Sequence, residues 1–87
     1  MYIFFAKGFR KDYDRLQAGL KRHCNGRLLL FEKQPFHALL DSHQLQGEYA
    51  GCRSINITSD YRAIFYYEAE DAVRFIRAGT HHELFGS

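Results

Sequence analysis

The 87-residue sequence predicts an α/β fold of the α+β kind: two N-terminal helices packed on a four-stranded, mostly antiparallel sheet, in the order β-α-α-β-β-β. Apolar residues recur at spacings of three and four over the first third of the chain, which is the helical period, whereas from Cys52 onward they alternate, which is the strand period. An apolar, aromatic run, "MYIFFA", precedes the helical stretch and supplies the remaining strand. Two helices with one apolar stripe each can cover one face of such a sheet and leave the other partly open.

From Gly8 the residues Phe9, Tyr13, Leu16 and Leu20 mark an amphipathic helix with Lys and Arg between them. Its expected end is "CNG" at 24–26, because Asn-Gly is a strong breaker. A second helix then carries Leu29, Leu30 and Lys33 and stops before Pro35, since the residue ahead of a proline is pushed out of the α region. Residues 36–51, "FHALLDSHQLQGEYAG", read as a connection with at most one helical turn. After it come "CRSINIT", "YRAIFYYE" and "AVRFIRA", three strands of a meander, with "EAED" turning between the last two.

The length allows one domain, 1–87, with one core. The chain is 46% apolar and 16% aromatic with a lone proline, which excludes a disordered linker protein. No apolar run is long enough for a bilayer, and the start places apolar residues before charged ones, the reverse of a secretory signal, so a cytoplasmic protein without a membrane partner is expected. Cys24 and Cys52 then read as free thiols. The net charge of +2 is unevenly spread: residues 1–34 carry eight Lys/Arg against three acids, and residues 35–87 carry four against seven. The N-terminal half can therefore face a polyanion, although charge on helices is most often plain solvation.

Phosphate-binding glycine loops, paired-cysteine metal motifs, His-Glu-x-x-His and serine elbows are all missing, so the histidines are the side chains best placed to exchange protons near neutral pH. His81 and His82 follow the last strand; as neighbours in an extended chain they point to opposite sides, which disfavours a shared metal, and neither a metal nor a cofactor is expected. Solvated strand ends are the plain alternative for both, and surface positions for His23, His37 and His43. Asp60 suits a turn. Arg62, amid "YRAIFYY", has to snorkel, pair with a carboxylate or await an anion.

The stretch "HQLQGEYAGCRSINITSDYRAIFYYE" with the later "GTHHELF" closely resembles the RelE/ParE superfamily of type II toxin-antitoxin toxins, in particular its YafQ-like and RelE/StbE-type ribonucleases. The opening "FAKGFRKDYDRL" also looks like the first helix of that family. The resemblance implies metal-independent cleavage of mRNA, commonly on the ribosome, and a cognate antitoxin bound as inhibitor in a hetero-oligomer. It carries the family's histidine of the His-x-Leu-x-Gly segment onto His43, the hairpin aspartate onto Asp60, the terminal histidine onto His81, the terminal aromatic onto Phe85 and a RelE-type arginine onto Arg62. Where YafQ-like proteins have a further histidine on the first meander strand, this chain has Asn56, an amide that can position RNA but cannot act as a general base.

RNA cleavage needs a base for the ribose 2′-hydroxyl, an acid for the departing 5′-oxygen and a cation for the phosphorane. Against these needs, His81 is assigned as acid, His43 or Asp60 as base or base-orienting group, and Arg62, with Arg53 in support, to the phosphate. Phe85, and Tyr61 or Tyr49, would stack on unpaired bases, with most other aromatics in the core. A hairpin loop of two or four residues pairs Ile57 with Arg62, whereas a three-residue loop sets Arg62 opposite Asn56, and the sequence leaves both open. A ParE-like toxin that poisons gyrase without catalysis, and a degenerate toxin kept as a binding module, are the competing readings.

Overall fold

The computed structural model describes residues 1–86. Among these, β1 (Tyr2–Phe5) leads into α1 (Lys7–Asp14) and α2 (Ala18–Lys33), followed by β2 (His43–Gln44), β3 (Arg53–Asn56), β4 (Tyr61–Ala69), β5 (Ala72–Thr80) and α3 (His81–Phe85). Single 3-10 turns at Ala38–Leu40 and Gly47–Tyr49 flank β2. The strands form one sheet in the order β1-β5-β4-β3-β2, antiparallel except for the parallel β1–β5 pair. The expected α+β architecture is present with one more strand than expected. β2 has only two residues, too short to show a period of two, and its pairing with Arg53 and Ser54 of β3 makes it a strand.

The first helix ends ten residues before "CNG". Arg15 and Leu16 donate to the carbonyls of Asp12 and Tyr13, tightening the last turn, and a new helix starts at Ala18. Asn25 and Gly26 lie inside α2. The Tyr13 hydroxyl donates to Asn25 Oδ1 at 2.8 Å, so Asn25 joins the two helices, while Gly26 faces open space and costs only its poor helix propensity. Burial of Cys24 and Phe31 on either side outweighs that cost. The expected stop before Pro35 holds, with Lys33 the last helical residue.

The helices cover one sheet face. Phe75 is the hub of the core, with ring centroids 5.0 Å from Phe65, 5.4 Å from Phe31 and 5.7 Å from Phe9. Ile55, Ile57, Ala63, Val73 and Leu40 complete the same cluster. Both cysteines are free, and burial pushes the Cys24 thiol up to about 11, so it packs as a small apolar residue. Among the described residues no helix is long and apolar enough to cross a membrane.

Helix α1 approaches β5 very closely at Gly8, where an added Cβ would meet the Ile76 carbonyl oxygen at 2.8 Å. Backbone cannot swing aside, so the helix itself would have to move. We therefore expect Gly8→Ala to destabilise the protein by about 1–3 kcal/mol, against the usual gain from removing a helical glycine. Gly26→Ala, with nothing within 4 Å, should instead stabilise by about 0.5–1 kcal/mol. Urea unfolding of the two variants checks the opposite signs, and equal effects would contradict the close packing.

Candidate functional site

The face of the sheet away from α1 and α2 is assembled by register. Residues opposite one another in an antiparallel pair share a face, and the pairs His43–Ser54, Ser54–Ile64, Asn56–Arg62 and Arg62–Gly79 run from β2 across to β5. A three-residue hairpin loop, 58–60, sets this register: both Ile57 and Thr58 donate to the Tyr61 carbonyl, and Thr58 Oγ1 accepts from the amides of Asp60 and Tyr61. Of the two arrangements open to the sequence, Arg62 opposite Asn56 is the one formed.

Arg62 Nη1 donates to Asn56 Oδ1, while its Nε is shielded from water and without a partner among the described residues. The ion pairs in that part of the chain engage other arginines, Arg74 with Glu68 and Arg77 with Asp12. Arg62 is thus a half-buried cation held by a neutral amide. Its positive charge is not cancelled locally, and its remaining donors suit a phosphate.

His43 is held at both ring nitrogens. Nδ1 lies 2.9 Å from the carbonyl oxygen of Asp41, and a carbonyl only accepts, so Nδ1 donates and carries the hydrogen. The neutral ring then keeps its lone pair at Nε2, 3.3 Å from Ser54 Oγ. Asp41 adopts a left-handed backbone, φ 47°, a conformation that aspartate tolerates better than most residues.

The segment after β5 is not an extended tail. Thr80 accepts from the Glu83 amide and Glu83 Oε1 from the Thr80 amide, a capping box that starts α3. His81 and Phe85, four positions apart, pack on one side of that helix with centroids 4.9 Å apart and ring planes tilted by 52°, and Tyr49 meets Phe85 edge-on at 5.9 Å. The argument from extended neighbours on opposite sides therefore does not apply to His81 and His82. The His81 amide donates to the Asp60 carbonyl at 3.3 Å, joining α3 to the hairpin loop. A Cβ on Gly79 would meet Glu83 and Leu84, which places α3 over the Arg62 side of the sheet.

His43, Asn56 and Arg62 thus share a face, with His81 and Phe85 on the helix at its end and exposed Asp60 in the adjoining loop. Arg53 and Tyr61 belong to the other side. Arg53 pairs with Phe65, lies over the Phe36 ring and donates to Ser42 Oγ and O; Tyr61 packs against the core. Arg77 is the residue that sequence reasoning passed over. Its Nε donates to Asp12 Oδ2 at 2.7 Å, a bond that raises its pKa, and Tyr49 lies close enough to add to the effect. The signal was the one used for Arg62, an arginine inside a strand, but a register shift opposite Ile64 and Phe65 obscured its side. Among the described residues no group of three or more His, Cys, Asp or Glu side chains is placed to hold a metal ion.

The topology is that of a class of small α+β toxins: the YoeB/ParE toxin from Agrobacterium tumefaciens superposes with a TM-score of 0.77 over 93% of this chain and 99% of its own, at 22% identity. YafQ from Escherichia coli strain BL21(DE3) gives a TM-score of 0.73 at 28% identity, over 97% of each chain. In sequence, the mRNA interferase toxin YafQ of Escherichia coli strain K12 is 36% identical over 59 residues, 68% of this chain and 63% of that relative's length. The family model described as "Bacterial toxin of type II toxin-antitoxin system, YafQ" matches residues 1–86, and the chain belongs to that family.

Asp12 anchors the site from behind, because its Oδ2 also accepts from the Ala78 amide at 2.9 Å. Asp12→Ala leaves that buried N–H without a partner and should cost about 1–3 kcal/mol, with Asp12→Asn losing less because an amide oxygen still accepts. Denaturant midpoints at unchanged slope measure this, and an Asp12→Ala midpoint equal to wild type would refute the anchoring role.

Proposed function

We propose that this chain is the toxin of a toxin-antitoxin pair and an endoribonuclease that cleaves mRNA by acid-base chemistry through the ribose 2′-hydroxyl. One observation carries the reading: Arg62 sits on the open sheet face with no carboxylate partner among the described residues, and His43 on the same face presents to the displaceable Ser54 hydroxyl an Nε2 lone pair that can accept a proton. Kinship with a relative named as an mRNA interferase supports the reaction class. The solved Escherichia coli DinJ-YafQ complex, 30% identical in its YafQ chain with a TM-score of 0.70 over 97% of each chain, supports a cognate antitoxin as partner.

In this mechanism the 2′-oxygen of the RNA attacks phosphorus as its proton passes to His43 Nε2, with exposed Asp60 as the alternative base. Arg62 donates to the non-bridging oxygens as charge builds on them. The P–O5′ bond then breaks, and His81 delivers a proton to the departing oxygen, leaving a 2′,3′-cyclic phosphate and a 5′-hydroxyl. Phe85, backed edge-on by Tyr49, offers a ring to an unstacked base. Asn56 contributes no proton transfer; it holds Arg62 in place. The basic residues of α1 and α2 can meet an acidic antitoxin segment or ribosomal RNA.

Purified protein, ribosomes and a defined mRNA provide the test, with and without a chelator. Wild type should leave discrete cuts that survive chelation, His81→Gln should lower the rate about 10²-fold or more, and Arg62→Gln should do likewise. Growth arrest on expression without cuts, persisting in His81→Gln, would replace cleavage by binding as the basis of toxicity.

A further inference from the structure

Ser54 is completely buried in the middle of β3, opposite the equally buried Ile64, a place where an apolar side chain is the ordinary choice. Among the described residues its hydroxyl bonds to His43 Nε2 alone, at 3.3 Å. His43 itself belongs to a strand of two residues and is exposed, so its ring would otherwise be free to turn. The backbone before it is tied down separately by Arg53, which donates from Nε to Ser42 Oγ at 3.1 Å and from Nη2 to the Ser42 carbonyl at 3.3 Å.

We propose that Ser54 is a positioning residue for His43: the Asp41 carbonyl fixes the Nδ1–H tautomer, and the Ser54 hydroxyl holds the orientation of the ring, with Nε2 as the atom that exchanges protons, in both charge states of the imidazole. A hydroxyl is suited to this because it both donates and accepts. Toward the neutral ring Ser54 donates to Nε2; toward the imidazolium it accepts from Nε2–H while the Asp41 carbonyl continues to accept from Nδ1–H. The ring therefore takes up a proton without rotating. At 3.3 Å the Ser54 bond is longer than the usual hydroxyl range, so a substrate hydroxyl that approaches Nε2 displaces it, and the charged ring afterwards returns its new N–H to Ser54. The benefit to catalysis rests on the ribonuclease reading above; the tautomer does not.

Side-chain ¹⁵N spectra of the histidines, recorded on the full chain without RNA in alkaline buffer, test the inference. Wild-type His43 should be the Nδ1–H tautomer; Ser54→Ala, which removes the donor to Nε2 while the Asp41 carbonyl remains, should move the Nε2 signal downfield, and Ser54→Thr, which keeps the hydroxyl, should restore the wild-type pattern. Cleavage by Ser54→Ala should fall about ten-fold or more and recover in Ser54→Thr, as misplacement of a reacting group predicts. An Nε2–H tautomer in the wild type, or unchanged His43 signals in Ser54→Ala, would overturn the proposal. The wild-type spectrum decides the tautomer even if Ser54→Ala is unstable. Absence of cleavage by every protein would count against the ribonuclease reading, while the spectra still judge the role of Ser54.

Discussion

The candidate site depends on the three-residue turn at 58–60. Because side chains alternate along a strand, one residue more or less in that loop would turn either Asn56 or Arg62 to the helix-covered side. The turn is fastened at two places. Thr58 Oγ1 takes the amides of Asp60 and Tyr61, and the Asp60 carbonyl accepts from His81 at the start of α3. The same short loop thus fixes the strand register and holds the helix that carries His81 and Phe85.

Much of the architecture was legible in the sequence because burial leaves a period. The alternation after Gly51 marks β3, aromatic and branched runs bounded by the turn at "EAED" mark β4 and β5, and Pro35 marks the end of α2. What was not legible had either too few residues or a tertiary cause. β2 is too short for any period, and the helix break at 15–17 contains neither glycine nor proline, while Asn25-Gly26, the apparent breaker, is held helical by Tyr13 and by the burial around it. The "TxxE" of Thr80 and Glu83 was a readable capping box, passed over because the segment looked like a strand end.

The site divides in a similar way. Family resemblance pointed to His43, Asp60, Arg62, His81 and Phe85, and the fold places these around the open face. Which arginine faces which way was beyond the sequence: Arg53 turns to Phe36 and Ser42, whereas Arg62 turns to Asn56. Ser54 drew no notice because a serine in a strand carries no signal until its burial and its neighbour are known. The one buried side-chain polar atom without a partner among the described residues, Arg62 Nε, lies where the proposed substrate binds, as expected when stability is given up for function.

The central claim is that one surface, built by sheet register and closed by α3, receives the RNA. Its most direct test is amide and side-chain shift mapping by NMR as the full chain is titrated with a single-stranded RNA made uncleavable by a 2′-deoxy substitution at the cut position. The account predicts that the perturbed signals cluster on His43, Ser54, Asn56, Arg62, His81 and Phe85. Perturbations confined to α1 and α2, with that cluster silent, would contradict it.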